Sequence, residues 1–275
     1  MRAPLTAGNA RVKDARKLSR RSVRTERRLF LADGPKAVEG ALGVPDCVVE
    51  VFATPAAAEY AGLLSTAPVT LVDDRALASL SDSVTPAGIV AVCRFLDVPL
   101  QSLLSRGSGP VESGVATGRV GGSGRLLAIC ADVRDPGNAG TVIRCADAAG
   151  ADGVVLAGDS VDLYNPKTVR ASVGSAFHLP VAVERDATLA VRAARSAGLT
   201  VLAADMHGDV DLFDADEVLA RPTAWLFGNE AWGLPAELTA LADHVVSIPI
   251  FGRAESLNLS TAAAVCLYAS ARVRH

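Results

Sequence analysis

The amino-acid sequence predicts an α/β protein with a small N-terminal domain, a flexible linker and a larger C-terminal domain. Apolar runs of strand length alternate with helix-like stretches from residue 29 onward. Residues 105–124 (SRGSGPVESGVATGRVGGSG) contain seven glycines and four serines, a flexible linker composition. This segment divides the 275 residues, half of them hydrophobic, into domains at 1–104 and 125–275. Both are of ordinary domain size.

The N-terminal domain begins with a predicted helix that carries much of the positive charge. Residues 1–36 hold eleven Lys/Arg and three Asp/Glu, a balance of +8, so with a total of −3 the remaining residues carry −11. Its cations recur every three or four residues and are expected to share one helix face, namely Lys13, Arg16, Arg20, Arg24 and Arg27. Such a face meets either solvent or a polyanion, and the segment alone favours neither.

Four apolar runs follow and predict a small α/β sandwich. LFLA, CVVEVFA, VTLV and GIVAVCRF have strand length. Between them, PKAVEGAL, PAAAEYAGLL and DRALASLS are typical of helices. The alternation favours a layer of helices on a small sheet.

The C-terminal domain alternates more regularly and predicts a doubly wound parallel sheet. Its strand-length runs LLAICADV, GVVLAG, FHLPVAV, TVLAAD, AWLFG and HVVSIPI lack polar alternation, as parallel strands covered on both faces do. Helices are predicted at 138–149, 187–197, 235–242 and 257–271. Ligands of such domains bind at the carboxyl edge of the sheet, so polar residues that follow the strands are candidate site residues.

The first polar cluster follows the first strand of this domain. Pro136-Gly137-Asn138 predicts a turn, with Asn138 placed to cap the next helix. Arg144 lies six residues further on, nearly two helical turns, and is expected to return to roughly the same face. Taken alone, a capping Asn and a surface Arg explain this cluster best.

The second cluster is LFGNEAWGLP, residues 226–235. Gly228 and Gly233 flank Glu230, so the backbone can approach a ligand closely while the carboxylate faces it. A glycine-rich turn with a solvated Glu explains the pattern about as well.

The third cluster follows the strand that ends in IPI, residues 248–250. After a short loop, Ser256 and Asn258 precede a long Ala-rich helix. Capping that helix requires only one of them. The surplus of polar groups favours a functional role.

In order and spacing, the three clusters resemble the motifs of the SpoU/TrmH class of the SPOUT RNA methyltransferase superfamily, whose rRNA methyltransferases include the thiostrepton-resistance type. NAGTVIR at 138–144 is similar to the first motif, FGNEAWG at 227–233 to the second, and IPI with Ser256-Leu-Asn258 to the third. Residues 18–42 resemble the small RNA-binding domain often fused in front, although Asp33 stands where Glu is usual. Leu259 stands where Val is commoner.

The resemblance implies transfer of a methyl group from S-adenosylmethionine to a ribose 2′-hydroxyl of RNA. It also implies a homodimer and a deep trefoil knot in the C-terminal domain, a feature rare enough that only the resemblance supports it. The residues implied to bind the cofactor are Gly228, Gly233, Ile248, Ile250 and Leu257.

The implied catalytic residues are Asn138, Arg144, Glu230, Ser256 and Asn258. Arg144 would lie nearest the attacking hydroxyl, either as its base or as a stabiliser of the negative charge that develops on oxygen. Because arginine is nearly always protonated, the second role is at least as well supported. The sequence offers no metal-ligand cluster, and this chemistry requires no metal.

The basic N-terminal residues then acquire an implied role in contacting RNA phosphates. The residues in question are Arg16, Arg20, Arg21, Arg24, Arg27 and Arg28. The fused N-terminal module favours 23S rRNA as the substrate over tRNA. The alternatives are a tRNA 2′-O-methyltransferase, a base methyltransferase on the same knot, and a non-catalytic RNA-binding or ribosome-assembly protein. A generic nucleotide-binding protein is disfavoured by the missing GxGxxG and P-loop patterns.

The sequence also predicts a cytoplasmic location. It has no run of the roughly 18–20 apolar residues that a membrane span needs, and its first residues lack the apolar region of a secretory signal. The five cysteines are scattered and form no CxxC pair, so neither a disulfide framework nor a zinc site is expected.

Overall fold

The computed structural model describes residues 3–60, 62, 67–105 and 125–274. The chain forms two compact units. The N-terminal unit comprises Met1–Leu96 with Asp162–His178, and the C-terminal unit comprises Asp97–Val161 with Leu179–His275. Residues 97–104 therefore group with the C-terminal unit and residues 162–178 with the N-terminal one. The predicted linker lies almost wholly outside the described residues and stays a prediction.

The N-terminal unit is built on a four-stranded sheet of order β1-β4-β2-β3. Strand β4 pairs antiparallel with β1 and β2, and β2 pairs parallel with β3. The strands are β1 Leu29–Asp33, β2 Val48–Ala53, β3 Val69–Leu71 and β4 Ile89–Arg94. The helices, numbered along the whole chain, are α1 Ala10–Arg16, α2 Arg21–Arg27, α3 Pro35–Leu42, α4 Asp74–Ala78, α7 Pro166–Ala171 and α8 Ser175–His178, with 3₁₀ helices at Lys17–Ser19 and Pro55–Tyr60. The predicted strands of this domain are confirmed.

The predicted basic helix is two helices, so the expectation of one continuous face of cations was wrong. α1 ends at Arg16, and Arg20 has an extended backbone (φ −90°, ψ 127°) just before α2. Leu18 lies between them, 1% exposed, and packs in the same core cluster as Val12. This break separates the cations of the segment, so that Arg20 is exposed whereas Arg24 is buried.

The C-terminal unit contains a parallel sheet of seven described strands in the order β7-β6-β5-β10-β8-β11-β9. They are β5 Leu126–Ala131, β6 Gly153–Ala157, β7 Val181–Glu184, β8 Thr200–Ala204, β9 Val210–Asp211, β10 Thr223–Phe227 and β11 His244–Ser247. The helices are α5 Leu100–Ser105, α6 Pro136–Ala148, α9 Ala187–Ser196, α10 Asp216–Leu219, α11 Ala236–Thr239 and α12 Leu259–Arg274, with a 3₁₀ helix at Leu212–Asp214. The predicted doubly wound α/β domain is confirmed.

The central strands are buried along their whole length. Every residue of β5, β6 and β10 is buried, as the runs without polar alternation predicted. Trp225 in β10 is fully buried and donates its indole N–H to Ser270 Oγ at 2.9 Å. Among the described residues, no helix is long and apolar enough to cross a membrane. The cytoplasmic location stays a prediction.

The run FHLPVAV is only partly a strand. Phe177 and His178 belong to α8, and β7 begins at Val181. Pro180 separates the two because it has no N–H to donate to a sheet. The helix predicted at 235–242 is likewise shorter, covering Ala236–Thr239.

Candidate active site

Two loops meet where the adjacent strands β5 and β10 end. Cys130 is in register with Phe227, so both strands end at the same level of the sheet. Asn229, 6% exposed, then donates from Nδ2 to the backbone carbonyl of Asp132 at 2.7 Å. This hydrogen bond joins the loop of the first motif to that of the second.

The turn from Gly228 to Gly233 is closed by its own backbone. Asn229 and Gly233 exchange two backbone hydrogen bonds of 2.9 and 3.0 Å. A Cβ on Gly228 would lie 2.4 Å from the carbonyl carbon of Gly233, and Gly233 itself has a φ of +69°. The turn therefore requires both glycines, independently of any ligand.

Glu230 is the centre of a polar network that joins the three motifs. Its carboxylate accepts from the backbone N–H groups of Arg134 at 3.3 Å and Asp135 at 3.1 Å, and from Asn138 Nδ2 at 3.2 Å. Asn138 Oδ1 in turn accepts from Asn258 Nδ2 at 3.1 Å. One predicted catalytic residue from each cluster thus belongs to a single network.

Asn138 does not cap its helix, so that prediction was wrong. The cap of α6 is Asp135, whose side chain accepts from the Asn138 backbone N–H at 2.8 Å, while Pro136 stands at the start of the helix. Because Asp135 satisfies the free N–H group, the Asn138 side chain can bridge Glu230 and Asn258.

Asn258 combines capping with a place in the network. Its Oδ1 accepts from the Ser260 backbone N–H at 2.9 Å at the start of α12, while its Nδ2 reaches Asn138. Ser256 is exposed and lines a neighbouring cavity. One residue suffices as the cap, as the sequence suggested.

Arg144 lies outside this network. It is exposed on α6, and no hydrogen bond or ion pair joins its side chain to the described residues. Its guanidinium is therefore available to a ligand.

A cavity of about 470 Å³ opens beside the Gly228–Gly233 turn. That volume lies within the range of small-molecule and cofactor sites. Its lining combines apolar side chains with the carboxylates of Asp205, Glu230 and Glu255. All five residues predicted to bind a cofactor line it, namely Gly228, Gly233, Ile248, Ile250 and Leu257.

The sequence reasoning missed a fourth loop at the cavity, which follows β8. Asp205 and His207 both line the cavity, and Asp205 Oδ1 accepts from the His207 backbone N–H at 2.9 Å. A Cβ on the next residue, Gly208, would lie 2.6 Å from the backbone nitrogen of Ser247. The polar sequence DMHGD directly after a buried strand was a signal of this loop.

Cys130, at the end of β5, is not a nucleophile. Burial, together with the charge of Glu230, raises the pKa of its thiol to about 12. The thiol stays protonated at neutral pH, and a thiol rather than a thiolate is unreactive.

The arginines predicted to contact RNA lie in different environments of the N-terminal unit. Arg16, Arg20 and Arg21 are exposed. Arg27 is also exposed but pairs with Asp14, with Nη2 and Oδ2 2.9 Å apart. The guanidinium of Arg28 lies over the ring of Phe95, 4.6 Å from its centroid.

Arg24 is the exception, because it is 3% exposed. Its Nε and Nη2 donate to Asp162 Oδ2 at 3.1 and 2.5 Å, and its Nη1 donates to the carbonyls of Leu18 and Ser19 at 2.9 and 2.8 Å. All of its nitrogens are thus used within the N-terminal unit. Arg24 therefore has a structural role.

Two family models match the chain. That of the SpoU rRNA Methylase family matches residues 125–268, and that of an MRM3-like substrate binding domain matches residues 9–91. The first range contains every residue of the polar network and the cavity, and the second contains the basic segment.

Individual relatives extend the likeness over the whole chain. The chain is 33% identical over 263 residues, 96% of each protein, to a 23S rRNA (guanosine(2553)-2′-O)-methyltransferase of Bacillus subtilis (strain 168). It is 46% identical over 144 residues, 50% of each protein, to a 23S rRNA (uridine(2479)-2′-O)-methyltransferase of Streptomyces viridochromogenes. The crystal structure of an AdoMet-bound rRNA methyltransferase from Sinorhizobium meliloti matches with a TM-score of 0.80 and 32% identity, over 98% of this chain and 97% of that one.

Proposed function

The chain belongs to the SpoU rRNA methylase family, and we propose that it transfers a methyl group from S-adenosylmethionine to a ribose 2′-hydroxyl of 23S rRNA. The observation that carries this proposal is the meeting of three strand-end loops at one place. Glu230, Asn138 and Asn258 form a hydrogen-bonded network beside a cavity of cofactor size. Two relatives that are named 23S rRNA methyltransferases support the choice of substrate, and one of them matches this chain over nearly its whole length.

S-adenosylmethionine supplies the methyl group, on a positively charged sulfonium, when it is bound. The cavity suits it in size and in chemistry. Ile248 and Leu257 offer apolar surface for the adenosine and thioether parts, and Asp205 and Glu255 offer carboxylates for its positive charges. We assign the cofactor to Gly228, Gly233, Ile248, Ile250 and Leu257, all of which line this cavity.

The network residues are assigned to orienting the ribose. Glu230 and Asn138 present fixed acceptors and donors, because each is held by at least two hydrogen bonds. Ser256 adds a hydroxyl to the cavity lining, and Asn258 continues the network through its hydrogen bond to Asn138. Holding a hydroxyl in line with the group it attacks removes much of the entropic barrier to reaction.

Arg144 is assigned to the reacting oxygen. A guanidinium is protonated at all physiological pH values, so it is poorly suited to accept the hydroxyl proton. It is well suited to stabilise the negative charge that develops on the ribose oxygen. Its exposed position, without a partner among the described residues, keeps it available for that role.

The N-terminal unit is assigned to RNA binding. Its exposed arginines contact phosphates, which positions the RNA without reading its sequence. We include Arg16, Arg20, Arg21, Arg27 and Arg28 in this surface and leave out Arg24, which is buried.

We further propose that the protein is a homodimer and that its C-terminal domain forms a deep trefoil knot. The resemblance of the three motifs to those of the SPOUT superfamily supports the knot. Light scattering on the purified protein tests the dimer. A species of twice 28.3 kDa is expected, and one of 28.3 kDa would contradict it.

The decisive experiment is methyl transfer from radiolabelled S-adenosylmethionine to unmodified 23S rRNA, 16S rRNA and bulk tRNA, followed by digestion to nucleosides. Label in a 2′-O-methylnucleoside from 23S rRNA is expected. Label that travels with the base would point instead to a base methyltransferase, and label in tRNA alone to a tRNA enzyme. A protein that binds the cofactor but labels no RNA would favour a non-catalytic role, and one that does not bind it would overturn the proposal.

A further inference from the structure

The C-terminal unit exposes a tryptophan in the same turn as Glu230, the centre of the polar network. Trp232 is 55% exposed and lines the cavity, whereas the other tryptophan, Trp225, is fully buried. The guanidinium carbon of Arg134 lies 5.0 Å from the Trp232 ring centroid. Arg134 is itself exposed. An exposed indole with a guanidinium over its ring is the kind of surface on which nucleic-acid bases stack.

Both residues of this surface lie on backbone that is held by hydrogen bonds. Trp232 lies in the turn closed by the two Asn229–Gly233 backbone hydrogen bonds. Arg134 donates its backbone N–H to Glu230 Oε2 at 3.3 Å. The surface is thus attached to the residues assigned to orienting the ribose, on a backbone that is already fixed.

A nucleobase must lie next to those residues during the reaction. The base is bonded to C1′ of the ribose, the neighbour of the carbon that bears the reacting hydroxyl. A nucleotide in folded RNA leaves its stack to enter an active site, and aromatic and arginine side chains replace the lost stacking.

Resting on the proposed function, we propose that Trp232 and Arg134 form the platform on which the base of the methylated nucleotide stacks. Such a platform recognises the flat face that every base has, not the hydrogen-bonding edge. It is therefore compatible with either of the nucleosides, guanosine and uridine, named for the relatives. Trp232 lines the cavity, but we assign its indole to the base of the RNA as a positioning residue and not to the cofactor.

The test measures two quantities independently, the Michaelis constant for RNA and the affinity for the cofactor. Wild type, Trp232→Ala, Trp232→Phe and Arg134→Lys are assayed with unmodified 23S rRNA, and S-adenosylmethionine binding is measured by calorimetry. Phe213→Ala is the matched control, because Phe213 is 56% exposed and lies outside the cavity lining. Replacing a stacking aromatic by alanine weakens binding by about 5- to 150-fold.

Trp232→Ala is expected to raise KM for RNA by about that factor while cofactor affinity stays unchanged. Trp232→Phe should restore most of the loss, and Arg134→Lys should show a smaller rise because it keeps the charge but not the planar group. An unchanged KM for RNA, a rise equal to that of Phe213→Ala, or a matching loss of cofactor affinity would each overturn the platform.

Fluorescence distinguishes failure of this inference from failure of the proposed function. The chain has two tryptophans, so the difference between wild type and Trp232→Phe reports Trp232 alone. If the wild type methylates no RNA, the proposed function fails. The platform is then judged by whether 23S rRNA quenches the Trp232 signal. Absence of quenching overturns the platform as well.

Discussion

The carboxyl edge of the seven-stranded sheet and the basic segment at residues 10–28 were both predicted to be functional. Different physical rules decide which of their residues come together. At the sheet edge, residues separated by up to 120 positions meet in one network, in which Asn258 Nδ2 lies 3.1 Å from Asn138 Oδ1. In the basic segment, residues only four positions apart lie in different environments, since Arg20 is exposed and Arg24 is buried.

The difference shows how far each kind of pattern can be trusted. Parallel strands end at a common edge, so the residues that follow them converge whatever the length of chain between them. A helical stripe depends on an unbroken helix, and here the 3₁₀ turn at Lys17–Ser19 and the extended backbone of Arg20 interrupt it. Chemistry and RNA binding are accordingly expected to respond to different substitutions.

Arg24→Ala is expected to destabilise the N-terminal unit by about 3–5 kcal/mol, because it leaves the Asp162 carboxylate without its buried partner. Denaturant unfolding measures the change. Arg20→Ala, at an exposed position, should alter the free energy of unfolding by no more than about 0.5 kcal/mol. Equal effects from the two substitutions would mean that the basic segment behaves as one exposed surface after all.

Arg144→Ala is expected to lower kcat for methyl transfer by about 10²–10³-fold, the usual effect of removing a group that stabilises a developing oxyanion. RNA affinity and cofactor affinity should change little, because the charge that Arg144 stabilises develops only in the transition state. The fold should also be unaffected, because Arg144 makes no hydrogen bond or ion pair to the described residues. Single-turnover assays check this, with the exposed Arg192→Ala as the control. A loss confined to RNA affinity would mean that Arg144 binds RNA and does not stabilise the reacting oxygen.

Gly228→Ala is expected to weaken S-adenosylmethionine binding. The new Cβ would lie 2.4 Å from the Gly233 backbone, so the turn must shift, and overpacking of this kind costs about 1–3 kcal/mol. Because the cofactor is assigned to the undistorted turn, restoring that turn on binding would lower affinity by up to about 5- to 150-fold. Calorimetry measures the change. Gly252→Ala is the matched control, since its Cβ would meet nothing within 4 Å. Cofactor binding that survives Gly228→Ala would place the cofactor away from this turn.

The double variant Arg20→Ala with Arg21→Ala is expected to make RNA binding less dependent on salt. Each phosphate contact that is lost should reduce the slope of log affinity against log salt concentration by about 1. Filter binding between about 50 and 200 mM salt measures the slope. Arg192→Ala should leave it unchanged, and an unchanged slope in the double variant would remove these arginines from the RNA surface.

Most of the fold and much of the candidate site could be predicted from the sequence. Buried strands such as β5 and β10 appear as unbroken apolar runs, and the polar residues after them were found by position alone. The five cofactor candidates came with the family resemblance, and all of them line one cavity. The loop at Asp205–Gly208 followed the same rule but was overlooked, because it belongs to none of the three motifs.

The sequence by itself determined most of the strands and which residues follow them, because those features depend on local periodicity and on a common sheet edge. Only the tertiary structure decided the partner of each polar side chain. Asp135, not Asn138, caps α6, which frees Asn138 to bridge Glu230 and Asn258. Arg24 is buried because Asp162, 138 residues away in sequence, is there to pair with it. A side chain's environment is set by neighbours distant in sequence, and no local pattern contains them.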